Sequence, residues 1–253
     1  MDCRSSFEID EFKQQQSAAA RSSGWKDRRD ESLMALLGAV PLSVGRKLRQ
    51  LAYSSIFKHF GQGITVEFSV RFIRPKLMDI GDFCSISSYS FINCWEDGSE
   101  FILEDAVRLD QGFHLRAIGG KVRIGQSSYL GPYVCMAGPG NITIGKNCLI
   151  ASHTSLYANS HVFSAVDIPI NQQGLTIKGI TIEDDCWVGT GVRIVDGITI
   201  GKGSIIGAGS VVTKSIPPHS VAVGAPAKVI RPRQANEIQQ SHQKLTLSDS
   251  PTQ

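Results

Sequence analysis

No apolar run in this chain of 253 residues is long enough to cross a bilayer. The best candidate, Leu33–Leu42, is half of the roughly 20 residues that a spanning helix needs. A secretory signal is also missing, because the N-terminus is acidic and polar, so a cytoplasmic location is expected. Net charge is only +3, yet acids are absent from two windows, Glu31 to Glu67 and Asp196 to Glu237. Basic residues fill these windows: Arg46, Lys47, Arg49 and Lys58, then Lys202, Lys214, Lys228, Arg231 and Arg233. The second stretch suits a small anionic ligand. The basic residues are not interleaved with aromatics, which argues against nucleic acid as a partner.

What the chain does have is a beat of six. Aliphatic residues fall at Ile80, Ile86 and Ile92, then at Leu103, Leu109 and Leu115. The count restarts at Ile124, Leu130 and Met136, and again at Ile144, Ile150 and Leu156. It returns at Ile182, Val188 and Ile194, then at Ile200, Ile206 and Val212. Glycine often follows the beat, as at Gly81, Gly125, Gly131, Gly145, Gly189, Gly201 and Gly207. Neither a helix nor an amphipathic strand has this period. A coil of three short flat sides does, and hexapeptide repeats of this kind predict an all-β parallel β-helix. Coils stacked ~4.8 Å apart would make a prism on the order of 30 Å long from six regular turns.

The beat also explains the cysteines. Cys84, Cys148 and Cys186 each follow a beat residue by four positions, a phase that Ser128 and Ser204 occupy in other coils. This is a second inward position where small residues fit, so these thiols read as core hydrophobes rather than disulfide partners.

Four segments are expected. Residues 1–31 form a disordered or loosely docked arm, 32–61 a helical N-terminal segment, 62–233 the β-helix, and 234–253 a disordered tail. From Ser43, a candidate N-cap, Val44, Leu48, Leu51, Ala52 and Ile56 define an apolar face with Arg46, Lys47, Arg49 and Gln50 opposite. Pro41 sets this helix apart from the preceding apolar turn, and Gly61 is a candidate stop. Such a helix would cap the open end of the β-helix. Alternatively, residues 43–60 would lie on an anionic membrane surface. Residues 64–79 read as an irregular first coil, and 216–233 as the last. The one large break runs from Tyr157 to Gly179, and long loops on rigid scaffolds are where function concentrates. His161 stands five residues past Leu156, where this loop departs, and imidazole is suited to take a proton near neutral pH.

The runs ITIGKNCLIASHTSLYANSH and ITIEDDCWVGTGVRIVDGITIGKGSIIGAGSVVTKSIPPHSVAVGAPAKVIR resemble those of the hexapeptide-repeat O-acetyltransferases. That group includes galactoside, maltose and polysaccharide (colanic-acid-type) acetyltransferases. The similarity covers about residues 80–233, and His161-x-Phe163, Pro169-Ile170 and Gln173-Gly174 look most like the polysaccharide type. The resemblance implies a left-handed β-helix, a homotrimer with active sites between subunits, and direct acetyl transfer from acetyl-CoA to a saccharide hydroxyl. It implies His161 as general base. It also implies Trp187, Thr190, Ala208, Thr213, Lys214 and Arg231 as the acetyl-CoA-binding residues, without metal. Independently, Thr190 and Ala208 each lie two residues after a beat and 18 apart, so they should stack and face outward.

One departure is visible: the stretch LGPYVCM (130–136) lacks the Asn that such enzymes often turn toward the acceptor, leaving Tyr133 as a substitute. Of the other histidines, His153 should face outward and His114 should sit at another corner. Two rival readings remain. A hexapeptide scaffold could bind without catalysing. A zinc enzyme like the γ-class carbonic anhydrases could use His114, His153 and His161.

Overall fold

The computed structural model describes residues 25–233. Three sheets of short parallel strands form the sides of a solenoid of seven coils. The first sheet runs from His59–Phe60 to Thr199–Ile200, and the third from Arg71–Ile73 to Val211–Val212. The second starts at Thr65–Val66 and ends with Ser220–Gly224 and Ala227–Pro232. Most strands are two to four residues long because each side must end at a corner. The beat residues point inward and are buried, among them Ile80, Ile86, Ile92, Ile124, Leu130 and Met136. Each fully buried aliphatic side chain contributes ~1.5–3 kcal/mol. Since each coil covers only its neighbours, this stabilisation builds up along the stack.

The inward cysteines behave as expected. Cys84, Cys148 and Cys186 are buried, as are Ser128 and Ser204 at the same phase. Among the described residues the five cysteines are free thiols. Burial pushes Cys84 up to about 11 and Cys94 to about 12. Such thiols are inert as nucleophiles.

The N-terminal region corrects the sequence reading in three ways. A helix, α1, already runs from Trp25 to Gly38, so helical structure starts before residue 32 and replaces the expected apolar turn. The next helix, α2, spans Leu42–Tyr53, with Pro41 rather than Ser43 at its N-cap, and ends well before Gly61. Its inward side is not the apolar one: Gly45, Arg49 and Tyr53 are its buried residues. Arg49 is 0% exposed, whereas Val44, Leu48 and Leu51 are exposed. The physical reason lies in what α2 covers. Arg49 donates from Nε to the Val66 carbonyl at 2.9 Å, and from Nη1 to Leu37 O at 2.7 Å and Val40 O at 2.8 Å. A cap must satisfy the carbonyls it removes from water, and Arg49 does so for the first coil and the end of α1. Tyr53 completes the plug, its ring 5.8–6.2 Å from those of Phe57, Phe60 and Phe72.

The first coil is irregular at one corner, the 3-10 turn Pro75–Leu77, but His59–Phe60, Thr65–Val66 and Arg71–Ile73 all pair in parallel with the coil that follows. At the other end, Ser220–Gly224 continues the second sheet in parallel, but Ala227–Pro232 folds back antiparallel instead of completing a coil.

Candidate active site

The long loop leaves the third sheet after Ser155–Tyr157. Ser160–His161 pairs antiparallel with Leu175–Thr176, so His161 stands opposite Leu175 on a short hairpin, exposed. Gln173 holds the loop closed. Its Nε2 donates to Ala165 O at 2.8 Å and Ile168 O at 2.7 Å, while its Oε1 accepts from Ala165 N at 3.0 Å. The base of the loop is fastened by Asp196, whose carboxylate accepts from the backbone N–H groups of Lys178 and Gly179. His161 therefore projects from a braced element rather than a loose one.

Trp187 lies on the second sheet, in register with Leu149 and Ile205, and is 53% exposed. Two residues past the strand, Thr190 sits at the corner leading to the third sheet. Its carbonyl accepts from Gly209 N at 2.8 Å, which stacks the Thr190–Gly191 turn on the Ala208–Gly209 turn. Thr190 and Ala208 are both exposed, so the stacking expected from their spacing is present. A Cβ at Gly191 or Gly209 would meet nothing within 4 Å. The corner is a strip almost free of side chains over two coils, with Trp187 on the adjoining face. A thin, amide-bearing chain fits such a strip.

Thr213 and Lys214 are exposed and follow Val211–Val212 at the next corner. Arg231 lies on the return strand, paired with Val221, which is itself next to Ile205 and then Trp187 in the sheet. Three strand spacings put the Arg231 backbone ~14 Å from that of Trp187, along the coil axis. The structure thus gathers Trp187, Thr190, Ala208 and Arg231 onto one side and its corner. His161 is carried on the loop beyond the third sheet. The two groups belong to different sides of the prism.

The remaining histidines are separate. His114 begins the strand His114–Ala117 rather than occupying a corner, and its ring stacks on Phe91 at 5.2 Å. Burial, followed by the charge of Arg116, lowers its affinity for a proton. His153 is exposed at a corner, stacked on Tyr133 with ring centres 5.1 Å apart. Among the described residues no group of three or more His, Cys, Asp or Glu side chains is arranged to hold a metal ion. The Tyr133–His153 stack was not read from the sequence, although the 20-residue offset between coils would have aligned the two corners.

Residues 179–214 match the family described as bacterial transferase hexapeptide (six repeats). The galactoside O-acetyltransferase of Escherichia coli is 40% identical over 114 residues, which are 45% of this chain and 55% of that protein. Among solved structures, AntD, an N-acyltransferase from Bacillus cereus in complex with dTDP and 3-hydroxybutyryl-CoA, superposes with a TM-score of 0.51. It covers 80% of this chain and 97% of its own at 20% identity, a likeness that shows the fold. The chain spans about half the length of the curated relatives it matches. The resemblance to hexapeptide-repeat acetyltransferases, read first from the residues, is borne out by these matches.

Proposed function

We propose that this protein is an acetyl-CoA-dependent O-acetyltransferase acting on a saccharide hydroxyl. The observation that carries this reading is the bare corner of Thr190–Gly191 and Ala208–Gly209 beside exposed Trp187, on a chain 40% identical over 114 residues to a galactoside O-acetyltransferase. In this reading the pantetheine arm lies along the strip, with Trp187 against it. Thr213 and Lys214 meet the nucleotide end, and Arg231 meets its 3′-phosphate through charge-assisted hydrogen bonds. His161 takes the proton of the acceptor hydroxyl as that oxygen attacks the thioester carbon. The C–O bond forms, the C–S bond breaks, and the proton passes to the departing thiolate. Transfer is direct, since the inward thiols are buried away from the surface.

Because His161 and the strip lie on different sides of the prism, a complete site calls for a second subunit, and we infer a homotrimer with three shared clefts. We place the protein in the cytoplasm, taking part in polysaccharide biosynthesis. The exposed stripe Val44, Leu48 and Leu51, with Lys47 beside it, supports peripheral contact of residues 43–60 with an anionic membrane surface. Among the described residues no helix is long and apolar enough to cross a membrane.

The test is thiol release from acetyl-CoA in the presence of a panel of saccharides, together with CoA binding by calorimetry. Acceptor-dependent release is expected. CoA binding without transfer to any saccharide would favour the scaffold reading, and absence of CoA binding would overturn the donor site.

A further inference from the structure

At the corner between the second and third sheets, the left-handed residue of each turn forms a column along the prism. In order it reads Ser69, Tyr89, Gly112, Tyr133, His153, Gly191 and Gly209, with φ between 59° and 71°. A ladder fixes the register. Gly209 N donates to Thr190 O at 2.8 Å, Gly191 N to Ser152 O at 2.9 Å, His153 N to Pro132 O at 2.9 Å, and Tyr133 N to Gln111 O at 2.9 Å.

The column changes character halfway. Gly209 and Gly191 leave open space. The next two positions carry flat rings, Tyr133 and His153, 5.1 Å apart and within 16° of parallel. The stack is braced from both ends. A Cβ at Gly112 would sit 2.6 Å from the Tyr133 ring, so that ring rests on the glycine. On the other side Arg193 Nη1 donates to His153 O at 2.8 Å and Gly191 O at 2.9 Å, tying the ringed corner to the bare one.

We propose that the Tyr133–His153 stack is the end wall of the donor groove and sets the length of acyl group the protein accepts. The inference rests on the donor reading above. A CoA whose nucleotide lies near Arg231, on the late coils, runs along Ala208–Gly209 and Thr190–Gly191 toward earlier coils. The first side chain it meets in the column is the His153 imidazole. A two-carbon acyl group ends before the wall. A longer one must displace a ring stacked on Tyr133, on a backbone that Arg193 ties down. His153 is thereby a specificity-determining residue that acts by bulk, distinct from the base.

Calorimetry with non-hydrolysable thioethers separates this role from catalysis. The probes are CoA, S-ethyl-CoA and S-hexyl-CoA, on the wild type, His153→Gly and His153→Asn. Gly and Asn both tolerate the left-handed backbone. The wild type should bind S-hexyl-CoA about tenfold or more weakly than S-ethyl-CoA. His153→Gly should bring the two within about twofold, with His153→Asn between. Equal affinities in the wild type, or a ratio unchanged in His153→Gly while CoA still binds, would overturn the end wall alone. A wild type that binds no CoA would overturn the donor site and the wall together. Thermal melting accompanies each variant, and if His153→Gly does not fold, the His153→Asn ratio decides.

Discussion

Arg49 Nε donates to the Val66 carbonyl at 2.9 Å, joining α2 to the first coil through a guanidinium wholly removed from solvent. Burial lowers the pKa of this cation from its usual value. Three carbonyls depend on it.

Arg49→Met should therefore cost several kcal/mol, since each buried acceptor left without a donor costs ~1–3 kcal/mol. The methionine replaces the stem but not the donors. Urea unfolding followed by circular dichroism should show a lowered midpoint. An unchanged midpoint would mean that the cap does not depend on those bonds.

His161→Ala should lower kcat by ~10²–10⁴-fold, the usual range for general-base catalysis. CoA affinity should change little, because the residues assigned to hold it lie on the prism itself. His59→Ala, which removes a pair between the first coil and Asp79 of the next, is the control and should keep most activity. Near-normal turnover in His161→Ala would assign the base elsewhere.

Lys214→Ala and Arg231→Ala should weaken CoA binding more than binding of 3′-dephospho-CoA. A hydrogen bond to a charged group is worth roughly 1.5–3 kcal/mol. Equal losses for both ligands would show that neither residue meets the 3′-phosphate.

Sedimentation at micromolar concentration should give a single species of three chains, as closed symmetry favours. A stable monomer would sink both the trimer and the shared cleft.

His114 gives stability a pH dependence. Burial, then Arg116, disfavours its charged form in the folded chain, so its folded pKa lies below 6.5. Between those two values the unfolded chain binds more protons, and stability falls as pH drops through that window. His114→Asn should flatten the slope of the urea midpoint just below pH 6.5. A slope unaffected by the change would trace the effect to other groups.

The solenoid was legible because its inward positions are almost all aliphatic and the corners repeat a small set of residues. The first coil read as irregular because Phe60, Val66 and Phe72 mark it, mixing aromatics into the beat, and because Pro75 begins a short 3-10 turn before the next coil. The inner face of α2 was misread for a physical reason. Periodicity equates apolar with inward, but a helix that closes a stack must bond to exposed peptide groups, and Arg49 does this better than Leu48. At the candidate site, the stacking of Thr190 on Ala208 followed from spacing alone. The ring pair at Tyr133 and His153 did not, because its geometry comes from left-handed corners that hydrophobic patterning ignores.

The antiparallel return of Ala227–Pro232 has a consequence for self-association. A stack of parallel coils offers a template at each end on which another chain's coil could continue, the route by which solenoids grow into fibres. Here one terminus of the stack meets α2 and the other meets a strand running the wrong way, with Pro232 opposite Ser220. At the second sheet, the return strand offers no parallel register to an incoming copy. Growth of the second sheet past Ala227–Pro232 is thereby disfavoured, and the flanks of the prism remain the faces open to association.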